Sequence, residues 1–268
     1  MQKQAVSCRL GYTVGVLTSQ RKTEILEMLT RDGSVVAKDL AVRWDVSEDT
    51  VRRDLRELAA DGLVQRVHGG ALPVSAAAGD FETRRSVATA EKHVVARLAA
   101  GLISDDQTVF IDGGTTGQAL CHALRPDLRA TVITHSPTIA VELNNRERID
   151  VFLIGGRVYP HSVVTTGAVA AEQIAAITAD VFFMGVSGVH HQAGLTTGDA
   201  EEAAIKRAIS RRCSETYVLA SSEKLGTASP FRVVGFTDVT AAITDSNDSK
   251  TLRPLRKAGL ELITPRAR

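Results

Sequence analysis

Between Arg21 and Leu55 the chain spaces its apolar residues as three short helices would, and no other stretch narrows the fold as much. Ile25 and Leu29 stand four apart, which sets them on one face of a first helix, Gln20 to about Arg31. A second helix is predicted from Val36 to Arg43, packing inward through Val36 and Leu40, with Trp44-Asp45-Val46 as the tight turn. Ser47 suits the N-cap of a third helix, because its hydroxyl can accept from the free amides of a first turn. There Val51, Leu55 and Leu58 fall at i, i+4 and i+7 and define the buried face. Asp49, Arg53 and Arg56 then lie opposite the core, with Thr50 and Arg52 on the flanks. A helix with arginines on its outward face, held by two others, is built to enter a DNA major groove.

The pattern extends past this helix. Asp61-Gly62 ends it, since glycine tolerates left-handed cap geometry. Residues 63–67 read as a strand, His68-Gly69-Gly70 as a tight turn and Ala71-Leu72 as a short return strand, which makes a winged helix. Arg66, His68 and Gly69 of the wing and Lys38 of the second helix are therefore candidate DNA contacts, beside Ser47, Asp49, Thr50, Arg52, Arg53 and Arg56. Residues 18–73 carry nine Lys or Arg against ten Asp or Glu, so no basic footprint supports the reading and the pattern alone carries it. A three-helix protein-interaction module is the plainer alternative.

At 268 residues the chain suits two domains. Its net charge of +1 gives no reason to expect a membrane surface, and no apolar run reaches the ~18 residues a membrane helix needs. Cys8, Cys121 and Cys213 are far apart with no CxxC pair, which argues against a disulfide framework or structural zinc and fits a reducing cytoplasm. Residues 1–17 lack amphipathic or signal-peptide character and are expected to be a disordered tail or a start assigned too far upstream. The expected plan is a winged helix-turn-helix over 18–73 (helix-turn-helix about 35–54), a linker at 74–80 and a larger domain over 81–265.

In that larger part, apolar runs at 108–112, 131–134, 151–154, 180–185, 216–220, 241–244 and 260–263 alternate with helical segments near 116–125, 136–145, 168–177, 199–213 and 250–258. A further helix is expected at about 91–102. Such alternation implies an α/β fold with a mostly parallel sheet covered on both faces. Ligands of such sheets bind at the carboxyl ends of the strands, near a reversal of strand order. Asp112-Gly113-Gly114-Thr115-Thr116-Gly117-Gln118 follows a strand and opens a helix, so glycines, helix-start amides and two hydroxyls make an anion cradle, most naturally for phosphate. It has neither GxGxxG nor GxxxxGK[ST] spacing, so dinucleotide and ATP chemistry are not indicated. Further strand-end loops carry His135-Ser136, Gly156 and Gly185. Lys224, just after a strand, could meet a phosphate as a point charge, whereas Glu202 and Lys206 at i, i+4 would by default be an exposed helix pair. Adjacent His190 and His191 would point apart in an extended segment, and neither a metal nor a cofactor is expected.

Arg21-x3-Ile25-x3-Leu29-x17-Ser47-x2-Thr50-Val51-Arg52-Arg53-Asp54-Leu55 resembles the signature of the DeoR family of bacterial transcription regulators, and residues 62–71 are similar to its wing. The likeness covers about residues 18–265. It implies a sugar-catabolism regulator, usually a repressor, whose C-terminal domain shares its fold with ribose-5-phosphate isomerase and senses a phosphorylated sugar. Thr115 and Thr116 match the family's phosphate loop; Gly194 through Arg207, with Glu202 and Lys206, match its Gly-x-Thr…Glu-Ala-x-x-Lys-Arg stretch, and Lys224 the lysine of Asp-Ser-Ser-Lys. The effector site implied is Asp112, Gly114, Thr115, Thr116, His135, Ser136, Gly156, Gly185, Glu202, Lys206 and Lys224. His135 stands where the family usually has Asn, Ser221 where it has Asp, and Gly113 where Ser precedes Gly-Thr-Thr. Ser221 thus removes an acceptor for sugar hydroxyls, and His135 adds a group that can carry charge, or is a structural histidine. The expected partners are a double-stranded operator, a phosphorylated sugar and further copies of the chain in a dimer or tetramer, because two half-sites need two readers. A sugar-phosphate isomerase with an appended DNA module is the alternative, with Asp199, Glu201, Glu202 and Lys224 as conceivable acid–base groups.

Overall fold

The computed structural model describes residues 17–75, 77 and 79–266; the expectation for the N-terminal stretch therefore falls almost wholly outside the described residues. By its contacts the chain divides into two compact units, one ending at Ala71 and the other beginning at Leu72.

The first unit runs α1 (Thr18–Asp32), β1 (Val35–Val36), α2 (Ala37–Trp44), α3 (Glu48–Ala60), β2 (Val64–Val67) and β3 (Gly70–Pro73). The strands form one small sheet in the order β1-β3-β2. Ile25, Leu29, Leu40, Val51, Leu55 and Leu58, which helical spacing singles out, share its core with Val64 of β2 and with Trp44, which ends α2 instead of lying in the turn. Ser47 caps α3, its Oγ accepting from the Thr50 amide at 3.1 Å. Gly62 takes φ +71° just beyond the helix, the left-handed geometry the sequence implies. Val36 is a correction: it lies in β1 rather than at a helix start and is 48% exposed, because strand alternation buries Val35 and turns its neighbour out. Arg21 on α1 and Asp54 on α3 form a buried ion pair, Nε to Oδ2 at 2.7 Å and Nη2 to Oδ1 at 3.2 Å.

The second unit opens with α4 (Phe81–Ser86) and α5 (Thr89–Ala100) and continues β4 (Thr108–Ile111), α6 (Thr115–Ala123), β5 (Ala130–Thr134), α7 (Pro137–Leu143) and β6 (Ile149–Leu153). A hairpin comes next, β7 (Arg157–Tyr159) and β8 (Val164–Thr166), then α8 (Ala168–Ala175), β9 (Ala179–Gly185), β10 (Gly188–His190), β11 (Gly194–Thr197) and α9 (Ala200–Ser210). The unit closes with β12 (Cys213–Leu219), β13 (Phe231–Arg232), β14 (Ala241–Ile243), α10 (Ser249–Lys257) and β15 (Leu262–Ile263). Seven strands make the main sheet, in the order β15-β14-β12-β9-β4-β5-β6 with every neighbouring pair parallel. All seven coincide with apolar runs read from the sequence. Strand alternation splits the buried side chains into two clusters: Phe110, Phe182 and Val218 belong to one, Val109, Ile111 and Phe183 to the other.

From β4 the chain steps outward through β5 and β6, then returns to place β9 on the other side of β4. The reversal of strand order thus falls between the ends of β4 and β9, where Asp112 and Gly185 meet: the Gly185 amide donates to Asp112 Oδ2 at 2.7 Å. Short antiparallel pieces missed by the sequence reading, β10-β11-β13 and β7-β8, wrap this end of the sheet. The segment expected to be a polar linker is partly docked on the second unit. Ser75 and Ala77 are buried, and Val74 bridges Ala228. His190 and His191 do not point apart; their ring centroids lie 4.3 Å from each other, because β10 ends at His190 and His191 already belongs to the turn. His190 Nδ1 accepts from the Gln192 and Ala193 amides, and burial, with His191 adding to it, pushes the ring down to about 4.

Candidate functional sites

On the first unit, Asp49, Arg53 and Arg56 of α3 are exposed together, with Arg52 beside them. Arg52 is engaged by Glu48 at 2.8 Å, one turn earlier on the same helix. Ser47 and Thr50 hydrogen-bond each other, Oγ to Oγ1 at 2.8 Å, so both help to cap the helix as well as edge its outer face. Lys38, Arg66, His68 and Gly69 are exposed. Gly69 takes φ +80° in the turn, while the crowded glycine is its neighbour: a Cβ on Gly70 would lie 1.9 Å from the Val35 carbonyl oxygen.

On the second unit a cavity opens at the switch point, with about 480 Å³ of empty space when its opening to solvent is included. Its floor is the start of α6. Gly114, at φ +97°, occupies the N-cap and supplies no side chain, so the first-turn amides of Thr115, Thr116 and Gly117 have no side-chain cap. Gly117 is demanded by packing, since a Cβ there would lie 2.3 Å from the Asp112 carbonyl oxygen. Gly113 is demanded too: its Cβ would fall 2.2 Å from Val164 Cγ1, which explains why no side chain larger than hydrogen stands there.

Of the positions expected around an effector, Gly114, Thr115, Thr116, Gly185, Glu202, Lys206 and Lys224 line this cavity. Asp112, His135, Ser136 and Gly156 do not. The first three are fully buried, and Gly156 is exposed elsewhere, beside Thr165, Thr166 and Ala170. Asp112 instead organises the charges. Its Oδ1 accepts from the Gly113 amide at 2.8 Å and from His135 Nε2 at 2.7 Å, and its Oδ2 accepts from Gly185 and from the Lys206 ammonium. Burial would raise its pKa, but the charges of Lys206 and His135 outweigh that and hold the carboxyl well below its ordinary range. His135 Nδ1 faces the Thr165 carbonyl at 3.1 Å, which can only accept.

Glu202 and Lys206 are not an exposed helix pair. Both are buried, with Lys206 Nζ 3.4 Å from Glu202 Oε1, while Thr197 donates to Glu202 Oε2 at 2.6 Å. Burial opposes the charge on each, yet the mutual attraction and Asp112 keep Lys206 above its ordinary value; Glu202 lies below its own. These groups are committed to one another. Lys224, also buried, donates to Thr116 Oγ1 and to the Leu219 carbonyl, each at 3.2 Å. Burial, aided by Lys92, Arg84 and Lys206, lowers it to about 8.

Arg84 and Lys92, on α4 and α5, line the cavity and escaped the sequence reading, because helical arginine and lysine are by default solvated. Arg84 Nη2 donates to the His161 carbonyl at 2.7 Å, and its Nη1 lies near the position a Gly114 Cβ would take, at 3.8 Å. Lys92 donates to the carbonyls of Arg84 and Val87, fastening the α4–α5 corner. Glu223 completes the missed set. Among the described residues no group of three His, Cys, Asp or Glu side chains could hold a metal, and no helix is long and apolar enough to cross a membrane.

A winged helix with an outward arginine face, joined to an α/β unit with a cationic cavity at its switch point, defines a two-part, DNA-binding transcription regulator. Residues 21–76 match the family model of the DeoR-like helix-turn-helix domain, and residues 87–246 match that of the DeoR C-terminal sensor domain. The chain belongs to the DeoR family of transcription regulators and is not an enzyme. It is 31% identical to the transcriptional regulator GolR of Listeria innocua, over 90% of this chain and 96% of that one. It is also 31% identical to the glycerol-3-phosphate regulon repressor of Escherichia coli, over 85% of this chain and 91% of that protein. With the transcriptional repressor GlcR of Bacillus subtilis it shares 29% identity, over 91% and 95% of the two chains. The ribose 5-phosphate isomerase of Methanocaldococcus jannaschii aligns at 17% identity and a TM-score of 0.37, covering 50% of this chain and 52% of that enzyme.

Proposed function

We propose that the protein represses carbohydrate-catabolism genes and that a phosphorylated sugar or polyol, bound in the switch-point cavity, alters its hold on the operator. One observation carries this reading: the uncapped start of α6 faces Lys224, Lys206, Arg84 and Lys92 in a single cavity, an excess of positive charge suited to a phosphate dianion. The name of the glycerol-3-phosphate regulon repressor adds support for a small phosphate ester. The arginine face of α3 reads base edges while Arg66, His68 and Lys38 meet the backbone, and two copies of the chain read two half-sites about 10 bp or a multiple apart. A coupling of about 1–3 kcal/mol would then shift operator affinity by up to two orders of magnitude.

Thermal-shift screening of the full chain against sugar and polyol phosphates, followed by gel shifts on operator DNA, tests the proposal. A ligand at a hundred times its dissociation constant should stabilise by about 2.7 kcal/mol. No shift with any phosphate ester, alongside intact operator binding, would overturn the effector assignment.

A further inference from the structure

Glu223 sits in a short 3-10 turn, Ser222–Lys224, that follows β12 at the cavity wall. Its Oε1 accepts from Ser221 Oγ at 2.7 Å, and Ser221 is itself fully buried. Its Oε2 is shut off from solvent and, among the described residues, has no hydrogen-bond partner. The neighbouring cations do not supply one. The hydrogen bonds of Lys92 go to the Arg84 and Val87 carbonyls and those of Lys224 to Thr116 and Leu219, none to Glu223. A buried acceptor left unpaired costs stability, so its persistence at a binding cavity points to a donor that arrives with the ligand.

The surroundings restrict that donor. At pH 7.5 a phosphate monoester is almost wholly the dianion, which has no O–H to donate to a carboxylate, and an ammonium would be repelled by Lys92 and Lys224 lining the same cavity. A neutral hydroxyl meets both conditions. We propose that Glu223, oriented by Ser221, reads a hydroxyl group on the carbon skeleton of a phosphate ester whose phosphate lies at the start of α6. This rests on the phosphate-ester reading above and adds the group that sets specificity. It also revises the expectation drawn from Ser221: the position lacks a carboxylate, but its hydroxyl holds one two residues on.

Isothermal titration of the full chain at pH 7.5 tests this with methyl phosphate, which has no hydroxyl on carbon, and with glycerol 3-phosphate, erythritol 4-phosphate, ribose 5-phosphate and glucose 6-phosphate. Wild type should bind the best hydroxylated ester about tenfold or more tighter than methyl phosphate. Glu223→Leu should erase that preference without weakening methyl phosphate, and Glu223→Gln, which keeps an uncharged acceptor, should reduce it. Equal strengthening of all esters in Glu223→Leu would mean that Glu223 acts through charge alone, equal weakening that it only supports the cavity wall, and an unchanged preference that it makes no contact; each result overturns the proposal. Should the leucine variant fail to fold, an unchanged preference in Glu223→Gln does the same. Wild type that binds none of the five would overturn the effector reading itself, and this inference with it.

Discussion

His135 Nε2 lies 2.7 Å from Asp112 Oδ1, and both side chains are buried at the point where the sheet reverses its strand order. Asp112 also holds Lys206, from a helix 94 positions further along the chain. One buried carboxylate thus serves two partners behind the cavity wall. Asp112→Asn would leave the buried Lys206 ammonium with Glu202 as its remaining carboxylate neighbour. The expected cost is about 3–5 kcal/mol in the denaturant unfolding of the second unit, and a loss below about 1 kcal/mol would show that the network contributes little.

The depressed Lys224 predicts a pH-dependent ligand affinity. Below about 8 the ammonium is charged and a phosphate dianion gains from it; above, the proton is lost and affinity should fall by up to about tenfold per pH unit. A bound dianion raises the lysine again, so binding at pH 9 should take up close to one proton, readable as a dependence of titration heat on buffer ionisation enthalpy. For folding the sign is opposite to that of a paired lysine: the burial of Lys224 costs stability below about 8, and the cost fades as pH rises toward its unfolded value. Affinity that is flat from pH 7 to 9.5 would remove Lys224 from the site.

Arg52 and Arg53 should not be equivalent on DNA. Arg52 is paired with Glu48 on its own helix, whereas Arg53 has no ion pair within 4.0 Å among the described residues and stands on the exposed face. Arg53→Ala is expected to cost about 1–3 kcal/mol in operator affinity and to relax base preference at one position, with a smaller loss for Arg52→Ala. Gel-shift titrations at two salt concentrations distinguish a base contact from a phosphate contact, and equal losses for the two arginines would contradict the placement.

Gly113 and Val164 are sterically linked, a Cβ on the glycine meeting the valine methyl at 2.2 Å. Gly113→Ser should therefore destabilise the protein by about 1–3 kcal/mol, because the buried, β-branched valine has little room to move. Adding Val164→Ala should recover most of that loss. A double-mutant cycle in thermal unfolding measures the coupling, and purely additive losses would disprove it.

In the first unit the buried pair of Arg21 and Asp54 joins α1 to α3. Asp54→Asn removes the buried carboxylate that accepts two hydrogen bonds from the guanidinium, so the unit should lose about 3–5 kcal/mol and specific DNA binding should weaken through unfolding rather than through a lost contact. Hydrogen exchange of the α1 amides is the direct check, and protection equal to wild type would refute it.

Local periodicity was enough for much of this protein. The third helix announces itself because Val51, Leu55 and Leu58 repeat at helical spacing behind a serine cap, and the seven sheet strands because buried parallel strands are short unbroken apolar runs. Those signals are carried by neighbours in the chain, so they survive in one dimension. Where charge resides did not follow from them. Glu202 and Lys206 have the spacing of a solvated pair, yet Asp112 and the wall of β strands bury them; Arg84 and Lys92 sit on unremarkable helices until the fold turns them toward Gly114. The orphaned oxygen of Glu223 is likewise invisible in the sequence, because burial and missing partners are properties of everything packed around an atom. Sequence alone therefore determined the recognition helix and the seven parallel strands, while the short antiparallel pieces, the ionic arrangement and the chemistry the cavity invites came from tertiary packing: solvation and Coulomb energies depend on distances between residues that the chain itself holds far apart.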